Sequence, residues 1–264
     1  MAVVGYLGIS QASGLFSERG SLGPTILQSE SPMVALISVI VTIGVAAIIG
    51  GLVARMTTSV SGMFILGFSL FALSMRLHGV TEFIMSGSSV NLLIIESIVV
   101  GTIVYIGSIV VFSIGGSLQD VRQSKTPNSY LKDLVTTLLI SLPVLLIVVI
   151  VAKSPMKGQV IGATLLGGIT IGVLARQCMP SVQPVILFSM PFVIGGLGYF
   201  IATVIGPVSD IGLTQQALSP LLLPMPMEYA GGVVMGVAIG LGWAASLAET
   251  PHEVVTVTVT VTAK

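Results

Sequence analysis

The chain has 264 residues, of which 54% are hydrophobic and only 8% charged, with 10 basic and 10 acidic side chains in balance. Soluble domains carry roughly 25% charged residues, so these few charges cannot cover a water-facing surface of this size, and much of the exterior must face lipid; the mean hydropathy of +1.08 agrees. No basic patch points to nucleic acid, and one cysteine, Cys178, excludes an internal disulfide and a cysteine metal cluster.

Residues 1–31 lack the basic opening of a cleaved signal, the first basic residue being Arg19. Gly5 and Gly8 break their apolar stretch, so they read as a surface or interfacial segment. A spanning helix needs about 20 mostly apolar residues. The first predicted span is 32–54, with Pro32 in its first turn, where no backbone donor is lost, and Arg55 as its stop. Spans follow at 60–75, ending at Arg76, and at 92–114. A fourth, 134–152, should kink at Pro143. The last three are 158–175, stopped by Arg176, then 185–205 and 229–247. Residues 76–90 have room for a short surface helix, and 115–133 (Asp120, Arg122, Lys125, Lys132, Asp133) read as a solvated loop. Leu221-Leu222-Leu223, set between prolines, is too short to span and reads as interfacial or re-entrant. In the tail, residues 254–261 alternate Val and Thr, a strand pattern that needs another strand to be stable. The expected fold is all-α, a polytopic transmembrane bundle of about seven spans. Lys and Arg in the connecting loops divide four (Arg19, Arg76, Lys153, Lys157) against six (Arg55, Arg122, Lys125, Lys132, Arg176, Lys264). The richer side is expected to be cytoplasmic, which puts the N-terminus on the non-cytoplasmic side.

The sequence also reads as an internal repeat. Ser31-Pro32-Met33 opens the first span and Ser154-Pro155-Met156 precedes the fifth. Leu52-Val53-Ala54-Arg55 closes the first and Val173-Leu174-Ala175-Arg176 the fifth. Ser59-Val60 then corresponds to Ser181-Val182, Glu96 to Glu228, and Ser117-Leu118-Gln119-Asp120 to Ser246-Leu247-Ala248-Glu249. Spans one to three match five to seven in order. The expected organisation is a surface segment (1–31), a three-helix repeat (32–114), a loop and linker helix (115–153), a second repeat (154–249) and a tail (250–264). Repeats four spans apart share orientation, so they would be parallel, related by an axis along the membrane normal. This 3+1+3 arrangement resembles the sugar-permease family called SWEETs. The resemblance covers the seven spans, rests on architecture without a shared motif, and implies a transporter.

Glu96 stands out because it lies inside an apolar run, where a carboxylate needs a partner. With Ser97, Tyr105 and Ser108 it is a candidate intramembrane polar site. Gly232, Gly236 and Gly240 recur every four residues, on one helix face, and are a candidate helix-packing interface. Glu228 suits a helix start, Tyr229 the interfacial belt, and Trp243 internal packing. His78 and His252 have no companion at metal-ligand spacing. No catalytic motif, metal site or cofactor signature is found, so no enzyme is expected. The partners expected are the bilayer and other membrane proteins or a second copy. The sequence points first to a non-enzymatic scaffold or accessory subunit of a membrane complex. Second comes a permease for a small, mostly uncharged solute.

Overall fold

The computed structural model describes residues 1–17, 20–118, 129–180, 184–205 and 218–248. Among the described residues ten α-helices run in chain order: α1 (Ala2–Gln11), α2 (Pro32–Met56), α3 (Ser59–Arg76), α4 (Val80–Met85), α5 (Val90–Gly115), α6 (Ser129–Ser141), α7 (Pro143–Val151), α8 (Lys157–Cys178), α9 (Met190–Ile205) and α10 (Pro226–Ala248). Seven segments are long and apolar enough to cross a membrane, α6 and α7 together forming one of them. The protein is thus an all-α helical bundle with seven candidate spans.

Local chemistry sets the boundaries. The Thr58 hydroxyl accepts from the Ser61 N–H and starts α3, and Ser89 does the same for α5 through Asn91. Gly116, at φ 91°, ends α5 in a conformation that a side chain would resist. Leu142 separates α6 from α7, because Pro143 has no N–H to continue the ladder. The short surface helix expected within 76–90 is α4, whose Val80, Phe83 and Ile84 are buried.

Glycines bring the backbones together. Gly50 of α2 and Gly62 of α3 are so close that a Cβ on either would stand 2.5 Å from the other's carbonyl oxygen. Gly168 and Gly172 of α8 lie as close to α10, where a Cβ on each would stand 2.6 and 2.5 Å from the carbonyl oxygens of Val233 and Val237. Four pairings organise the rest: α2 with α5, α8 with α10, α3 with α10 and α5 with α9. In addition, α2 packs along α3, whereas α8 takes α7 as its other close neighbour. Helix α10 is central: every residue from 221 to 238 is buried. A helix buried all round is apolar all round, and α10 has charge only at its start. Outward-facing rows such as Ile37, Ile40, Ile48 and Leu52 on α2 are exposed, as lipid contact requires.

The first helix lies deeper than its sequence suggests. Gly5 meets the ring of Phe68, Gly8 meets the backbone of Ser69 and Leu73, and the Ser69 hydroxyl donates to Val4 C=O. Helix α1 therefore runs along α3, with Val3 and Tyr6 facing outward. The stretch Leu221-Leu222-Leu223 is buried beneath the bundle, with a 3-10 turn over Pro220–Leu222. The central part of the 115–133 loop, the Ser181-Val182 match, Glu249 and the Val-Thr tail lie outside the described residues.

Candidate functional site

Two buried carboxylates mark the end of the bundle where α2, α5, α8 and α10 begin. Glu228 is 2% exposed in the first turn of α10. Pro226 suits that turn because the N–H it lacks has no partner in a helix start. Glu228 Oε2 reaches back to accept the Met225 N–H at 2.8 Å, which caps the helix. Its Oε1 pairs with Lys157 Nζ at 2.8 Å. Lys157 also donates to Ser74 C=O at 2.8 Å, so one ammonium group ties together α3, α8 and α10. The Thr164 hydroxyl of α8 donates to the Glu228 carbonyl.

Glu96 is satisfied differently. It is 1% exposed, about two turns into α5. Its oxygens accept the backbone N–H groups of Ile26 at 2.9 Å and Leu27 at 3.2 Å, and the Thr25 hydroxyl faces it. Successive N–H groups form a concave cradle for an anion. The segment 24–29 that supplies them is stiffened by Ser29 Oγ donating to Ile26 C=O and anchored by Gln28 Nε2 donating to Ser86 Oγ. Among the described residues no cation pairs with Glu96. A buried carboxylate held only by neutral donors ties its charge to the position of that segment.

Tyr199 of α9 is fully buried in the neighbourhood of both carboxylates, with Ser97 within hydrogen-bonding reach. Its hydroxyl donates to Pro224 C=O. The Tyr199 and Tyr229 rings are 6.2 Å apart and meet edge to face at 86°. Tyr229 is 1% exposed and its hydroxyl has no hydrogen-bond partner among the described residues. An unsatisfied buried hydroxyl costs on the order of 1–3 kcal/mol, so it needs a reason.

Of the residues singled out from sequence, Glu96 and Ser97 come together here with Tyr199. Ser108 is buried further along α5 and donates to Tyr105 C=O and Val185 C=O. Tyr105 points away at 38% exposure, because it lies off the face that carries Glu96 and Ser97. Gly232, Gly236 and Gly240 press against α8, where a Cβ would meet Ile161, Leu165 and Ile169. Tyr229 sits in the interior and not in an interfacial belt, while Trp243 is 57% exposed and is not internal packing. Lys157, Tyr199 and the 24–27 cradle were not singled out from sequence. Their partners lie far along the chain, 71 residues for Lys157 and Glu228. The one local signal was Pro24-Thr25 opening a turn ahead of Glu30.

The carboxylate end is closed over by segments 24–29 and 221–225, both largely buried. From the opposite end a groove of about 610 Å³ enters between α3 and α10. Thr58, Ser61, Arg176 and Ser246 line it with Phe64 and Trp243. Among the described residues no three His, Cys, Asp or Glu side chains gather as a metal site. Compared with known protein families, curated proteins and solved structures, the chain matches none. What it demonstrably is follows from its own residues: a membrane-embedded helical bundle with two carboxylates held in its interior.

Proposed function

We propose that the protein is a permease for a small, mostly uncharged solute. The observation that carries this reading is Glu96, a carboxylate inside the bundle held by the backbone N–H groups of a segment that also covers the site, with no cation beside it among the described residues. Ionisable side chains at membrane depth are rare and mark solute or ion paths by default. A difference between the two ends supports it: segments 24–29 and 221–225 cover Glu96 and Glu228 at one end, and a groove lies between α3 and α10 toward the other. Alternating access requires the reverse state, in which segment 24–29 withdraws and Glu96 loses its two N–H donors.

We include an internal duplication in this reading. Under a parallel 3+1+3 repeat, the α3–α10 and α5–α9 pairings exchange, and so do α2–α5 and α8–α10, whereas the close α2–α3 pairing has no α8–α9 counterpart. Transporters with such repeats place their solute where the repeats meet, and here that is the layer of Ser97, Tyr199 and Tyr229.

The test is uptake of a panel of uncharged solutes by proteoliposomes carrying wild type or Glu96→Gln. Accumulation by wild type and its loss in a variant that is expressed and inserted normally is the expected result. Equal uptake by the two would remove Glu96 from the mechanism. The second reading, an accessory subunit of a membrane complex, is favoured by the broad outward apolar face of α2. Gentle extraction from native membranes decides between them: stoichiometric partners in a large particle support the subunit, a lone chain or small homo-oligomer the permease.

A further inference from the structure

Helices α3 and α10 touch at one end and part toward the other. Gly231 and Gly67 mark the contact, where a Cβ would stand 2.6 Å from the Phe71 Cα and 2.7 Å from the Met235 N. Beyond them opens the groove of about 610 Å³, a size within the range of about 300–1,000 Å³ that holds a small ligand. Its lining is graded. Phe64 and Ile65 of α3 and Ala238 and Ile239 of α10 form an apolar wall at depth. Thr58, Ser61, Arg176 and Ser246 lie one to two turns nearer the helix ends. From Ala238 to Ser246 the wall runs about 12 Å at the α-helical rise per residue.

We propose that this groove binds one anionic phospholipid of the surrounding bilayer, with its phosphate at Arg176 and an acyl chain along Phe64, Ile65 and Ile239. Charge selects the headgroup: among the described residues Arg176 is the one charged side chain in the lining, and no carboxylate joins it. A guanidinium matches the geometry of a phosphate, and its five N–H donors serve a phosphate alongside other acceptors. The hydroxyls add a donor. Thr58 Oγ1 and Ser61 Oγ are 3.1 Å apart, and only one of their two O–H groups is used between them. Trp243, 57% exposed at the rim, suits the headgroup level where aromatic side chains gather. A free phosphate would leave the apolar wall uncovered, so the ligand carries a chain. The proposal is independent of the permease reading: the lipid holds α3 and α10 apart at this end whatever passes Glu96.

Trp243 is the protein's single tryptophan, so its fluorescence reports on the lipid in the groove. The full chain is reconstituted in phosphatidylcholine vesicles, and phosphatidylglycerol or phosphatidylcholine with brominated acyl chains is titrated in, bromine quenching the indole on contact. Half-quenching should need about fivefold less brominated phosphatidylglycerol than brominated phosphatidylcholine, as one cation beside an anionic headgroup gives. Arg176→Gln should bring the two curves together. Gly242→Leu fills the groove from a position where a Cβ meets nothing within 4 Å, so it should fold as wild type does. It should retain less phosphatidylglycerol than wild type in native mass spectrometry from detergent. Equal quenching of wild type by the two lipids overturns the proposal and leaves the permease reading untouched. A preference for phosphatidylglycerol that survives both substitutions puts the lipid outside the groove and overturns it too.

Discussion

Lys157 keeps 22% of its side chain exposed while Glu228 keeps 3%, so the pair straddles the edge of the interior. Removing the cation leaves a buried carboxylate with one backbone donor. Lys157→Met should therefore destabilise the protein by roughly 3 kcal/mol, the low end for breaking a buried pair because Lys157 is partly exposed. Adding Glu228→Gln to that variant should recover most of the loss, and thermal unfolding of the two variants in detergent checks it. If the single variant is as stable as wild type, the pair carries no structural weight. At this scale the sequence was half readable. Glu96 announced itself because a carboxylate in an apolar run is anomalous wherever it points. Lys157 did not, because a lysine at a span boundary is ordinary and its partner is 71 residues away. Tyr229 was misread because an aromatic near a helix start resembles an interfacial anchor until its neighbours are known.

At the scale of helices, the glycines divide into two populations. Gly236 lies on the backbone of α8, where a Cβ would overlap the Leu165 carbonyl oxygen. Gly44 of α2 has nothing within 4 Å of where a Cβ would stand. Gly236→Ala should thus cost at least 1–3 kcal/mol, roughly the penalty for overpacking a fixed contact. Gly44→Ala should stabilise by about 0.8 kcal/mol through helix propensity alone. Unfolding midpoints of the pair test this, and equal effects would mean that α8 and α10 are not in close contact. Span positions, the Pro143 break and the short helix after α3 were legible, because hydropathy and proline act locally. The depth of α1 was not. Its glycines look like interruptions of an apolar run until α3 is placed beside them, when they become the points of closest approach.

For the whole molecule, seven spans place Cys178, exposed at the end of α8, on the side opposite the start of α2. We propose from the distribution of Lys and Arg that this side is cytoplasmic. A membrane-impermeant maleimide should then label Cys178 in inverted vesicles and not in intact cells. Labelling in intact cells would reverse the orientation and require the Lys and Arg bias to be outweighed. The number of spans was readable from sequence because each is an independent composition signal. How they surround one another was not, since that depends on which small-residue faces meet.

The burial of α10 on every side from residue 226 to 238 has a consequence for biogenesis. Synthesis runs from the N-terminus, so this inner helix leaves the ribosome after the six other spans, among them α3, α5, α8 and α9, which pack against it. Until it arrives, the Gly67 surface of α3 and the Gly168 surface of α8 have only lipid to face, and Lys157 lacks its carboxylate. The earlier helices must wait apart, or part again, to admit their own centre. Nascent chains arrested after α9 should be readily cleaved by protease in the membrane, and extension through α10 should abruptly protect them.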